Sequence, residues 1–139
     1  MIIKNNYLDK TIEQINLENK KIDVLMYLIR PSYKVSSDGI VYLYEALQSA
    51  INRGVKVRII TDFRDTIEQL SLIGAEIKLS RTSRRMHAKA VIFSDSAIVG
   101  SHNWSKMGLQ HNDEISILTK DYEEIQELNK IFEEIWGDS

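Results

Sequence analysis

The segment Ile22–Ile29 (IDVLMYLI) is apolar at every position except Asp23. A half-exposed strand alternates apolar with polar residues, whereas a strand of this kind needs cover on both faces. The chain must therefore place helices on either side of a sheet. The neighbouring segments can supply them. Residues 6–19 carry Leu8, Ile12 and Ile15 at helical spacing among polar neighbours. Ile40–Arg53 carries Leu43, Leu47, Ala50 and Ile51 on one side, with Gly54 just past its end. Arg30–Asp38 between the two apolar segments reads as a polar loop.

The pattern continues in alternation. Val55–Thr61 reads as a strand ending at Asp62. Residues 65–73 read as a short helix through Ile67, Leu70 and Ile73 that stops at Gly74, and Ala75–Leu79 as a third strand. His87–Ser94 and Ala97–Gly100 are two largely apolar runs separated by Asp95-Ser96, a tight hairpin turn. Glu114–Leu118 is a further short strand. The last helix begins at Asp121, where Asp121 and Glu124 have capping-box spacing, and presents Ile125, Leu128, Phe132 and Ile135. The expectation is an α/β sandwich, a mixed β-sheet flanked by helices on both faces. No linker, repeat or low-complexity tract divides it, so residues 1–139 read as one domain.

Composition removes several chemistries. The chain contains no Cys, which excludes disulfides, thiolate metal sites and a Cys nucleophile. The most apolar run, Val24–Ile29, is far shorter than the ~20 residues of a membrane helix. The start, MIIKNNYLDK, lacks the apolar stretch of an export signal. A soluble cytoplasmic protein without a membrane partner is the expectation. A formal net charge of −2 argues against a nucleic-acid binder, but the charge is unevenly spread. From Lys78 to Lys89 there are five basic residues (Lys78, Arg81, Arg84, Arg85, Lys89) and no acid, whereas residues 121–139 hold seven acids and one base.

The basic segment runs directly into MHAKAVIFSDSAIVGSHNWSKMGLQHNDEIS, Met86–Ser116. His87 and Lys89 stand two apart on an expected strand, so both side chains point to one face. A hairpin closed at Asp95-Ser96 returns Gly100, Ser101, His102 and Asn103 beside them. A His, a Lys, a Ser hydroxyl, an Asn amide and a glycine-freed backbone then converge. No metal-ligand cluster accompanies them, and the donor set suits a tetrahedral phosphate.

These residues resemble the phospholipase D superfamily, whose signature is His-x-Lys-x4-Asp followed by Gly-Ser-x-Asn. The chain is similar in particular to the small single-motif nucleases that work as homodimers. ALQSAINRGVKVRIITD (46–62), LIGAEI (72–77), His87-Ala88-Lys89, Glu114 in NDEIS and the closing helix follow the family's order. One position departs. The family Asp falls at position 94, which is Ser94 here, with Asp95 next to it. Either Asp95 shifts into the role, or the turn is rebuilt and Ser94 substitutes as a hydrogen-bonding residue.

The resemblance implies a covalent route without metal or cofactor. One His attacks phosphorus to form a phosphohistidine while a second His protonates the leaving oxygen. By this analogy Lys89, Ser101 and Asn103 hold the non-bridging oxygens, and Glu114 orients the partner imidazole. Ser94 or Asp95 supports the site. His102 and His111 lack a following Lys at the motif spacing and read as surface residues, so the second catalytic His must come from another copy of the chain. A homodimer with His87 from both chains in one composite site is implied.

Arg81, Arg84 and Arg85, at the rim of that site, would contact a phosphate backbone, with Arg30 and Lys34 as more distant candidates. Trp104 reads as a core residue near the site, with base stacking the alternative. The leading reading is a metal-independent phosphodiesterase acting on DNA or RNA. Its alternatives are a phospholipase D or phosphatidyl transferase, and a non-catalytic nucleic-acid-binding dimer.

Overall fold

Each strand of the central sheet sorts its apolar side chains by parity, and the two sets face different helices. The computed structural model describes residues 1–30, 39–80 and 84–139. Its strands are β1 (Ile2–Ile3), β2 (Lys21–Met26), β3 (Lys56–Thr61), β4 (Glu76–Leu79), β5 (Lys89–Ile92), β6 (Ala97–Gly100) and β7 (Ser116–Thr119). The helices are α1 (Tyr7–Leu17), α2 (Ile40–Asn52), α3 (Ile67–Leu72) and α4 (Tyr122–Asp138). The strands form one mixed sheet in the order β1-β7-β6-β5-β2-β3-β4. β2, β3 and β4 run parallel, while β2 with β5, β5 with β6, β6 with β7 and β7 with β1 pair antiparallel.

On one face Val24, Met26, Val57, Ile59, Val91 and Ile98 pack with Ile15 of α1, Leu43 and Leu47 of α2 and Leu70 of α3. On the other Leu25, Ile60, Ala90, Ile92 and Ala97 pack with Ile125 and Phe132 of α4. The two-sided cover that β2 demanded is present, since its residues from Ile22 to Met26 are all buried. The single acid among them, Asp23, faces α4 and is neutralised in place. Arg58, its neighbour on β3, donates Nε to Oδ1 at 2.9 Å and Nη2 to Oδ2 at 3.1 Å. Glu133 of α4 pairs with the same guanidinium, which also lies 4.8 Å from the Phe132 ring centroid. Fork-to-fork pairing of this kind removes the cost of an unpaired buried charge and locks α4 to the sheet.

Several boundaries differ from the sequence reading, each for a local reason. Residues 65–73 open as a 3₁₀ turn, Arg64–Thr66, before α3. The strand expected from His87 begins only at Lys89, because the last β2–β5 pair is Met26 with Lys89. The strand expected from Glu114 begins at Ser116, because Ser101 takes up the backbone of Ile115: the Ser101 N–H donates to the Ile115 carbonyl at 2.9 Å, and the Ile115 N–H to Ser101 Oγ at 3.0 Å. The Asp121 cap forms, its Oδ2 accepting from the Glu124 N–H at 2.9 Å. The return bond of a capping box is replaced, with Glu124 accepting from the Thr119 hydroxyl and the Asp121 N–H turning to Thr119 Oγ1. β1 and a π-helical turn at Met107–His111 have no counterpart in the sequence reading. Among the described residues, no helix is long and apolar enough to cross a membrane.

Candidate active site

The ends of β2, β3 and β6 and the beginnings of β5 and β7 meet at one edge of the sheet. The motif residues collect there. His87 stands just ahead of β5, exposed, and Lys89 is the first residue of the strand. Lys89 Nζ lies 3.0 Å from His87 Nδ1 and donates to the His87 carbonyl at 2.8 Å. A charged ammonium can only donate, so in this arrangement Nδ1 accepts and the ring proton sits on Nε2. Partial burial lowers the Lys89 pKa below the ordinary lysine value, and the charge of Glu114 works in the opposite direction.

Across the hairpin, the Ser101 hydroxyl donates to Glu114 Oε1 at 2.7 Å, and the Asn112 amide donates to Glu114 Oε2 at 3.2 Å. Both carboxylate oxygens are thereby directed. Asn103 Oδ1 accepts from the Leu28 N–H at 3.2 Å, so what the amide presents elsewhere is its NH₂ group. Gly108 of the π turn packs on the Asn103 backbone so closely that a Cβ there would meet the Asn103 carbonyl at 2.5 Å. Trp104 ties this turn to the loop after β2: its N–H donates to the Leu28 carbonyl and its carbonyl accepts from the Arg30 N–H. Its side chain is fully buried, with Nε1 donating to the Tyr7 hydroxyl at 3.0 Å. Trp104 is thus a core residue and offers no face for a base.

The remaining sequence candidates separate. Arg84 and Arg85 are exposed at the rim. With Met86, His87, Glu134 and Ile135 they line a cleft of about 530 Å³ beside the imidazole. Arg85 donates to the Tyr27 hydroxyl at 2.7 Å. Arg30 lies over the Phe63 ring. Arg81 and Lys34 fall outside the described residues.

Ser94 and Asp95 lie past the other end of β5, in the hairpin turn. The structure does not bring them to the pocket. Ser94 bonds to Glu18, while Asp95 is exposed. At the position of the family Asp, Ser94 is a hydrogen-bonding residue, with Glu18 as its partner.

His102 corrects an expectation, since it is buried. It stacks on Tyr7 at 4.2 Å, with Nδ1 2.7 Å from Ser116 Oγ and Nε2 3.0 Å from the Lys4 carbonyl. The acceptors and the stacking surface come from segments remote in sequence, so spacing carried no sign of them. His111 is exposed. The sequence reading also passed over Tyr27, whose ring lies 4.4 Å from that of His87, because it stands as one more apolar residue at the end of a buried strand. Glu18, at the C-terminal end of α1, carried no signal either.

Comparison with known proteins agrees with this fold. Residues 11–136 match the family described as cardiolipin synthase, PLD-like domain. The chain is 32% identical over 105 residues to the mitochondrial cardiolipin hydrolase of Homo sapiens, covering 68% of this chain and 40% of that one. It spans less than half the length of the curated relatives it matches. Among solved structures it resembles NucT from Helicobacter pylori, with a TM-score of 0.83, 21% identity and coverage of 99% and 95% of the two chains. It also resembles Nuc from Salmonella typhimurium, a phospholipase D family member, with a TM-score of 0.82, 16% identity and coverage of 99% and 93%. The chain belongs to the phospholipase D superfamily.

Proposed function

We propose that this chain is a metal-independent phosphodiesterase that cleaves DNA or RNA through a phosphohistidine, in a site completed by a second copy. One observation carries the reading. The edge that holds Lys89, Ser101, Asn103 and Glu114 presents one imidazole with a lysine at the motif spacing, His87; His102 is buried in the core, and His111, exposed in the π turn, has no such lysine. The chemistry needs two imidazoles in opposite protonation states.

The steps balance with two copies. His87 Nε2 attacks phosphorus and a P–N bond forms. The P–O bond to the leaving group breaks, and that oxygen takes the proton of the partner's His87 imidazolium. Water then attacks phosphorus, the P–N bond breaks, and the water proton returns to the partner's His87. Non-bridging oxygens gain charge in each step; Lys89 and the Asn103 amide donate to them, and Ser101 does so once its hydroxyl leaves Glu114. For Nε2 to attack, its proton must be absent. Lys89 therefore leaves Nδ1 for a phosphate oxygen, and Nδ1 takes the proton. The carboxylate of Glu114 of the partner subunit then receives that N–H, which fixes the tautomer and stabilises the cation.

Nucleic acid is favoured by Arg84 and Arg85, two guanidiniums beside His87 that can engage a repeating phosphate backbone, although Glu134 and Asp138 also line that cleft. The likeness to cardiolipin hydrolases supports a phosphatidyl substrate as the second reading. Incubating the protein with single-stranded DNA, duplex DNA, RNA and cardiolipin vesicles, each in EDTA, separates them. Cleavage of a nucleic acid that persists in EDTA and vanishes in His87→Ala is expected. Turnover of cardiolipin alone selects the lipid enzyme, binding to nucleic acid without cleavage selects the non-catalytic dimer, and cleavage stopped by EDTA overturns the phosphohistidine route.

A further inference from the structure

We propose that Tyr27 is the positioning residue of this site, its ring orienting the His87 imidazole and its hydroxyl holding Arg85 toward the incoming phosphate. The inference rests on the reading of His87 as nucleophile. His87 precedes β5 and lies outside the strand ladder, so its orientation depends on side-chain contacts. Tyr27 supplies them from a fixed base. Its N–H donates to the carbonyl of Ala88, the residue between His87 and Lys89, at 3.0 Å. Its own carbonyl accepts from the Asp62 N–H at 3.2 Å and from the Thr61 hydroxyl at 3.3 Å.

From that anchor one side chain reaches three functional groups. The ring centroid lies 4.4 Å from that of His87, with the planes 36° apart. The Lys89 ammonium and the Arg85 guanidinium lie 5.4 and 5.6 Å from the same centroid, within range of attraction to an aromatic face. Arg85 also donates to the hydroxyl at 2.7 Å. Two cations are thus held around a neutral, polarizable plate, with the imidazole against it. An imidazole held in one orientation keeps Nε2 near its line of attack, whereas a freely turning ring must lose that freedom at each turnover.

Ring and hydroxyl therefore have separable duties. Tyr27→Phe keeps the ring contact and releases Arg85, so KM should rise about three- to fivefold, the size of an exposed charge pairing, with kcat held. Arg85→Ala should match it, and the double variant should add nothing. Tyr27→Leu removes the plate, so kcat should fall by about tenfold or more. The substrates are bis(p-nitrophenyl) phosphate and a fluorescent single-stranded oligodeoxynucleotide, and circular dichroism verifies folding of every variant.

A second measurement does not need turnover. The His87 ring protons should show ring-current shifts in wild-type NMR spectra that disappear in Tyr27→Leu. Unchanged His87 resonances in a folded Tyr27→Leu protein overturn the inference. So does equal loss of kcat in the Phe and Leu variants, or retention of kcat in the Leu variant. Full activity in His87→Ala is the different result that overturns the nucleophile reading itself.

Discussion

The Ser94 hydroxyl donates to the Glu18 carboxylate at 2.7 Å, and the Ser94 N–H donates to the same group at 2.8 Å. The N–H groups of Lys20 and Lys21 complete the set at 2.9 and 3.3 Å. One buried acid at the end of α1 therefore joins that helix, the start of β2 and the β5–β6 turn. Burial pushes the Glu18 pKa up, but the four donors outweigh it and the value lies below the ordinary 4.5. The motif position at which the superfamily pattern has Asp is Ser94 here, and the carboxylate bound to it belongs to Glu18 at the end of α1.

That pairing predicts an order of stabilities. Ser94→Ala removes one charge-assisted bond and should cost about 1–2 kcal/mol in urea unfolding. Ser94→Asp, which restores the superfamily residue, should cost more, because it sets a second carboxylate against Glu18. Combining it with Glu18→Ser should recover part of the loss. A Ser94→Asp protein as stable as wild type would show that the two positions do not exchange roles.

His102 predicts an acid limit to stability. Its Nε2–H donates to the Lys4 carbonyl and its Nδ1 accepts from the Ser116 hydroxyl, so the buried ring is held neutral. Burial lowers its pKa below the ordinary 6.5, and the Lys4 carbonyl and the Glu114 charge only partly offset this. Below pH 6.5 the unfolded chain binds the proton that the folded chain resists. Stability from this group is complete above that pH and is lost as the pH falls through the folded value. A second loss follows below 4.5 as Glu18 protonates. Melting temperatures measured across this range should fall in two stages, and His102→Gln should lack the first. A variant that keeps the upper stage would assign it to another group.

The layer order was legible because it follows from patterns carried within single segments. The apolar run of β2 demanded two covering layers, and the apolar spacings of α2 and α4 supplied them. Likewise the Asp95-Ser96 turn was enough to bring Gly100 and Ser101 back toward Lys89. What stayed hidden depends on pairs remote in sequence. Tyr27 meets His87 across 60 positions, Glu18 meets Ser94 across 76, and His102 meets Lys4 across 98. β1 was missed for a related reason. Two residues carry no period of their own, and Ile2–Ile3 becomes a strand only because β7 offers an edge.

If the site is completed by a second copy, as proposed above, an exposed apolar row marks where that copy would dock. Ile2 pairs with Ile117 and Ile117 with Val99, and all three side chains are exposed, at 65%, 48% and 38%. Ile131 of α4 flanks them at 44%. The row leads directly into the site, since Val99 stands two residues before Ser101 and Ile117 three after Glu114. Apolar side chains in such a row gain by being covered. Ile117→Lys should therefore convert the protein to a monomer in sedimentation experiments and abolish turnover, while its monomeric fold melts within about 0.5 kcal/mol of the parent. A dimer that survives this change, fully active, would place the interface elsewhere.

Gly100 sets the closeness of β6 and β7, the strands next to Ser101 and Glu114. A Cβ at this position would lie well inside 3.0 Å of the Ser116 Cα and of the Ile115 carbonyl. Both are backbone atoms of or beside β7, so no side-chain rotation relieves the overlap. Gly100→Ala must push β6 and β7 apart at the point where the Ser101 hydroxyl reaches Glu114. The expected cost is about 1–3 kcal/mol, as for other overpacked sites, with a loss of turnover per folded molecule as the Ser101–Glu114 bond lengthens. Gly137→Ala is the matching control. Nothing lies within 4 Å of the position its Cβ would take near the end of α4. That substitution should be neutral or stabilising by up to about 1 kcal/mol, the helix preference of Ala over Gly. Equal effects of the two substitutions in urea titration and turnover assays would mean that strand approach at Gly100 does not position the site.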